Sequence, residues 1–397
     1  MKGMNDMGLN VRNVSAHLVM AGAVFMGGEG VVMGQALEEA VSGKPAAEIA
    51  ETAAEQTLSV DEIYMGGRAR AVEVVLNASR SASPFFRANA MEAAAYTGDR
   101  ALPLLQLGLD DRSEVVRFAA LVSIGKLADP ALGKSAAAYV NDSDPSVRAA
   151  AIFAAKKCGA EVNESYLAEL LNSKDARQRR NAASVLGWLG NKSAVPMLRE
   201  GSWKGRMRNP NEYEIDQIAF AEAIARLGEE TALDVIRGKL YTGGAPDETR
   251  VYAVTVLGDL GDAKMARVFE NMLNDTNMQV RIAAATTLTK LGYGVGGTVL
   301  LDASHYDGER VEMDIKSYLS QHKNREDNET YRRLLASDKA LAELAGQIRG
   351  QAAFGLAMVG NAGAAQRVVA MLDDEMEQAR LSAAAAMLKA LTGQGVK

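Results

Sequence analysis

Apolar residues in this chain fall at helical spacing, and from residue 84 to residue 396 the same arrangement returns about every 31 residues. The frame is clearest in SEVVRFAALVSIGKLAD, anchored on Arg117, and it recurs on Arg87, Arg148, Arg179, Arg250, Arg281, Arg349 and Arg380. Gln217 stands in for the anchor once. Three residues after the anchor come Ala90, Ala120, Ala151, Ala182, Phe220, Ala253, Ala284, Ala352 and Ala383, and seven after it every residue is apolar. With positions +4 and +10 these make one helical stripe, and the small side chains at +3 let a neighbouring helix come close. Position +11 is glycine in seven units, Gly98, Gly159, Gly190, Gly228, Gly261, Gly292 and Gly360, and supplies the left-handed residue that ends a helix. A second apolar segment follows a short turn, as in RALPLLQLG (100–108) and SAVPMLRE (193–200). Each unit is therefore an antiparallel helix pair. One pair cannot bury its apolar faces alone, so the pattern predicts an all-α solenoid of about nine to ten stacked pairs.

The anchor is polar, which a core stripe does not explain. Asp111, Asp142, Asp275 and Asp374 lie six residues before an anchor, and Asp110, Asn141, Asn172, Asn274 and Asp373 lie seven before. In the turn ahead of the Arg helix they are expected to cap its N-terminus and to meet an Arg of their own or an adjacent unit. The expectation is a ladder of Arg and turn residues, Arg148 included, that orders the stack and binds no substrate. Cys158 occupies an apolar +10 position and reads as a buried structural thiol.

Composition narrows the picture. The 68 Ala among 397 residues, against 21 aromatics, argue against an all-β sandwich or barrel. The hydrophobic content of 48% excludes general disorder. A single Cys excludes a disulfide scaffold, and no Cys/His cluster offers a zinc site, so neither metal nor cofactor is expected. A net charge of −6 and only 2 Trp give no reason to bind a specific nucleic acid. Lys2 and Arg12, the apolar stretch Val14 to Met26 and small residues to Ala36 read as a secretory signal or an unstructured start, too short and Gly-rich to span a membrane. A polar stretch at 37–56 favours the signal, and with it a periplasmic or secreted location over a cytoplasmic one. The plan is thus 1–36 as that segment, 37–83 as linker and N-terminal cap region, and 84–397 as solenoid.

VRFAALVSIGKLAD (116–129), RRNAASVLGWLGN (179–191), RVYAVTVLGDLGD (250–262) and VRIAAATTLTKLGY (280–293) resemble HEAT repeats, and most of all the short class named after phycocyanobilin lyases. The resemblance implies a scaffold more often than an enzyme, with the Arg-bearing helix on the concave side. Deoxyhypusine hydroxylase is built from similar units but holds di-iron with repeated His-Glu dipeptides. This chain has none, and His17, His305 and His322 fall outside the register. A bilin-lyase-like enzyme or accessory is the alternative; nucleic-acid binding, as in HEAT-like base-excision folds, ranks below it.

Two insertions break the period. The first surplus falls near 202–211, where Trp203 stands beside Lys204, Arg206 and Arg208; these could hold an acidic partner segment, or form a solvated loop. The second spans 293–340 and brings His305, Tyr306 and the charged run KNREDNETYRR (323–333). Gly294, Gly296 and Gly297 lack the GK[S/T] ending of a phosphate-binding loop. Lys156, Lys157, Lys174, Arg177, Arg179 and Arg180 read as part of a mixed-charge surface. No acid, base and nucleophile converge in the pattern. The expected function is non-catalytic: a scaffold holding another protein or peptide on its concave face, bordered by the insertions, with Trp203, Lys204, Arg206, Arg208, His305 and Tyr306 as contact candidates.

Overall fold

The computed structural model describes residues 58–208, 213–241, 247–323 and 328–393, with the backbone alone for 204–208. The expected signal and most of the linker lie outside the described residues.

Described segments are helices, short 3-10 turns and connections, arranged as an all-α solenoid. Outer helix first, the pairs are α1 (Val60–Ala78) with α2 (Pro84–Ala94), α3 (Ala101–Leu109) with α4 (Glu114–Leu127), and α5 (Gly133–Ala137) with α6 (Pro145–Lys157). Next come α7 (Tyr166–Leu170) with α8 (Ala176–Leu189), α9 (Val195–Arg208) with α10 (Tyr213–Arg226), and α11 (Leu233–Tyr241) with α12 (Asp247–Asp259). Then α13 (Ala266–Met272) pairs with α14 (Met278–Lys290). The second insertion adds α16 (Gly308–Gln321) and α17 (Asn328–Leu335) between outer α15 (Gly297–Ala303) and inner α18 (Asp338–Val359). The last pair is α19 (Ala362–Ala370) with α20 (Glu377–Gly393).

The anchor-bearing helices form the inner layer, each packed on the next, while an outer helix such as α3 lies between two of them. Their close approach is set by the +3 column: Ala90, Ala120, Ala151, Ala182, Ala253, Ala284, Ala352 and Ala383 are wholly buried. At Gly187 a Cβ would come within 2.9 Å of the Ala223 Cα, so α8 and α10 touch backbone to backbone. All seven +11 glycines are left-handed, with φ between 67° and 97°. The capping residue is four before the anchor, where Asp144, Asp175 and Asn277 accept N–H groups of the first turn. The aspartates at −6 do not cap. They sit two residues ahead of the cap and accept its N–H, as Asp111 does from Ser113 at 2.8 Å.

Two expectations change. The repeat begins at Val60, inside the stretch assigned to a linker and cap, because α1 is the outer helix of the first pair. The stack also closes on itself. Helix α1 packs along α20 and against α19, and α2 also touches α20. Arg70 pairs with Asp373 at 2.7 Å, Asn89 meets Gln378 at 3.5 Å, and Gly67 lies against Met387 and Val369. The concave side is therefore the inside of a nine-unit ring, not an open superhelical groove.

Candidate functional site

The rungs between units come first, because they fix where other side chains point. Arg87 donates through Nε and Nη2 to both oxygens of Asp111 (2.7 and 2.9 Å), and Arg117 grips Asp142 in the same way (2.9 Å each). Arg349 grips Asp374 (2.7 and 2.6 Å), and Arg250 reaches Asp275. Each Arg thus meets the turn of the following unit, while the third nitrogen of Arg87 and Arg117 holds its own turn, as Arg117 Nη1 does on the Asp111 carbonyl at 3.0 Å, and Arg349 Nη1 donates instead to the Tyr306 carbonyl at 2.6 Å. Arg380 holds the Asp374 and Glu375 carbonyls at 2.6 and 3.0 Å. Pairing lowers the Asp111 and Asp142 carboxyls below their ordinary range despite partial burial.

Three rungs differ. After Arg148 the following turn carries Ser173 where an acid would stand, so Arg148 stacks on Tyr166 with its Cζ 4.0 Å from the ring centre. Arg179 reaches past the longer first insertion to Asp216, which also takes Arg180 at 2.9 Å. At the second insertion Arg281 meets Asp314 (2.5 Å) and the Tyr306 hydroxyl (3.0 Å), and that hydroxyl donates to Asp314 at 2.9 Å. Lined by Arg281, Asp302, Tyr306, Arg310 and Asp314, this modified rung borders an open cleft of 380 Å³. Tyr306 is only 4% exposed and works as a strut; neighbouring His305 points to solvent, with Nδ1 2.8 Å from the Leu301 carbonyl.

Trp203 is 64% exposed, but it stands on outer helix α9, on the convex side. The expected loop at 202–211 is helical through Arg208, because the surplus lengthens α9 to 14 residues where α3 has 9. Side chains of Lys204, Arg206 and Arg208 lie outside the described residues, as do residues 209–211. The structure therefore does not bring the two insertions together across a concave face. Cys158 is buried, its Sγ 3.7 Å from the Ile124 carbonyl, and burial raises its thiol.

Sequence reasoning missed the lining of the ring. Positions +2, +5 and +9 lie opposite the apolar stripe and face the centre. At +9, in or just beyond the last turn of each inner helix, stand Tyr96, Lys126, Lys157, Trp188, Arg226, Asp259, Lys290, Met358 and Lys389. One turn deeper stand Glu92 and Glu222. Side chains of distant units influence one another here: Lys126 of α4 feels the charges of Arg226 of α10, Asp259 of α12 and Lys389 of α20. Lys126 also lies 5.6 Å from the centre of the Trp188 ring, which packs on Phe153 at 5.2 Å. Arg226 Nε donates to Glu222 at 2.9 Å, and Lys290 pairs with Asp259. Burial raises the Glu222 and Asp259 carboxyls and lowers the Lys389 ammonium. The signal in the sequence was five cations in nine +9 positions, hidden because the column changes residue type at nearly every unit.

Comparison with known proteins agrees on the repeat. HEAT-repeat models match residues 134–208 and 267–295, so the chain carries HEAT repeats. Among solved structures it is similar to a chain of the complex of CpcE and CpcF of phycocyanin lyase from Nostoc sp. PCC7120, at 16% identity and a TM-score of 0.30. That likeness covers 74% of this chain and 100% of the other. No curated protein matches the chain. Among the described residues no helix is long and apolar enough to cross a membrane.

Proposed function

We propose that this HEAT-repeat protein is a non-catalytic scaffold that holds another protein on its concave side, at the mouth of the ring formed by the +9 residues. The observation that carries the reading is the composition of that mouth. Lysines, an arginine, Trp188, Tyr96 and Met358 share one rim, with Lys157 and Met358 exposed and Trp188, Lys126 and Lys389 half-buried. Aromatic side chains, Met and Arg are the residue types enriched where proteins meet. The ladder arginines, in contrast, are taken up by stacking, and Trp203 lies on the other side of the wall.

The test is capture of the full-length protein's partners in its own cells with an amine-reactive cross-linker, mapping the lysines that join. Cross-links concentrated on Lys157 and Lys389 support the reading. Cross-links only to outer-helix lysines such as Lys134, or loss of the partner on Trp203→Ala, would move the contact to the convex side and overturn it.

A further inference from the structure

The chain carries a net charge of −6, yet the +9 positions hold five cations and one acid. Even with Glu92 and Glu222 below them, cations outnumber acids five to three at this mouth. The excess does not come from the ladder, where arginines such as Arg87, Arg117 and Arg349 each meet an aspartate. It arises because closure of the ring brings the +9 ends of the first and last inner helices to one opening, where Lys389 feels the charges of Lys290 and Asp259. Like charges gathered in a partly desolvated throat raise the local potential and favour an anion.

The same place carries polar atoms without hydrogen-bond partners. Glu222 Oε2 and Asp259 Oδ2 are buried and unpaired, although each residue is less than one-tenth exposed. These atoms are sealed from solvent, so a segment lying across the opening does not reach them, and what favours a peptide over a simple anion is apolar surface at the rim. The rim adds apolar surface: Trp188 and Met358 in the +9 set, and exposed Tyr293 and Val295 in the turn beyond α14.

We propose that the mouth receives an acidic segment of a partner protein, lying across the opening with carboxylates against Lys126, Lys157 and Lys389 and an apolar side chain against Trp188 and Met358. The inference rests on the concave-face reading above and names the chemistry of what that face takes.

The test uses the full chain and a fluorescein-labelled peptide of alternating glutamate and leucine, with its glutamine counterpart, read by fluorescence anisotropy. The glutamate peptide binds and weakens as salt is raised, and the glutamine peptide binds about ten-fold more weakly. Lys389→Met and Lys157→Glu each cost about ten-fold in affinity, while Lys134→Glu on outer helix α5 costs nothing. Lys157 is exposed, so its variant keeps the test decisive should Lys389→Met fail to fold. Equal binding of the two peptides, or indifference to both mouth variants, overturns the proposal. So does full displacement by inorganic phosphate alone, which would make the mouth a small-anion site. A cellular partner still held by Lys157→Glu would leave the scaffold reading standing and remove this one. Peptide binding as expected, with no partner captured in cells, would do the reverse.

Discussion

At the level of single residues, Ala128 stands where seven other units have glycine, and its φ is 53°. A side chain in the left-handed region costs about 1–2 kcal/mol, and glycine recovers that less its larger unfolded-chain entropy. Ala128→Gly should therefore stabilise by about 0.5–1 kcal/mol, read from the urea midpoint. Gly190→Ala, at φ 79°, should lose about 1 kcal/mol. The ladder predicts an equally local contrast. Arg117→Ala strands the mostly buried Asp142 and should cost about 3 kcal/mol. Arg148→Ala removes only a stacked contact on Tyr166 and a buried, unpaired Nε, so about 1 kcal/mol is expected. Equal losses would mean that the ion pair adds nothing over the stack. In the ring centre, burial pushes the Glu92 carboxyl up to about 7 from 4.5, so stability present below pH 4.5 is lost as pH rises through 7. Burial brings the Lys126 ammonium from 10.5 down to about 8, so stability recovers as pH rises from 8 through 10.5. The double variant Glu92→Gln, Lys126→Met should flatten this trough in a melting-temperature profile over that range.

Among the elements, the second insertion behaves as a prop and not a free loop. Helices α16 and α17 pack on α18 and turn Tyr318 and Tyr331 toward the N-terminal ends of α12 and α14. The Tyr318 hydroxyl donates to buried Asp247 at 2.8 Å, Asn277 reaches the Tyr331 hydroxyl at 2.9 Å, and His322 lies 3.0 Å from the Thr276 hydroxyl. Tyr318→Phe takes one donor from Asp247 and should cost about 1–2 kcal/mol in global unfolding; a change confined to proteolysis of 308–335 would mean the insertion folds separately. The sequence could announce the helix pairs, because the Ala at +3 and the Gly at +11 obey rules that act within one turn and between adjacent helices. It could not announce that Asp142 would take the arginine of the preceding unit, since acid and base lie 25 residues apart and either neighbour was in reach. Nor could it place Tyr306 in a rung, because that depends on how α16 folds back. The +9 lining was less legible still, as no two adjacent units except those of Lys126 and Lys157 share a residue there.

For the whole molecule, closure is the property that no single repeat encodes. A period specifies how one pair sits on the next, and the total rotation after nine such steps decides between a ring and an open coil. Open solenoids need terminal units with polar outer faces, since an end repeat has only one neighbour. Here the first outer helix supplies the missing neighbour: Ile63, Tyr64, Ala71 and Val75 of α1 are buried in a core shared with Met387 and Leu388 of α20. A chain beginning at Ser81 would lack α1 and uncover the apolar face of α20. It should adopt a larger radius of gyration in small-angle scattering, melt at a lower temperature and associate through the uncovered face, because that face is left without a cover in water. Arg70→Ala is the control, removing an exposed closing ion pair while leaving the apolar seam intact. If the shortened chain keeps the radius and melting temperature of that control, the ring is held by curvature built into every unit and the α1–α20 seam is incidental. If it expands while the control does not, the seam closes the ring, and the mutual influence of Lys126, Asp259 and Lys389 at its centre depends on two helices from opposite ends of the described chain.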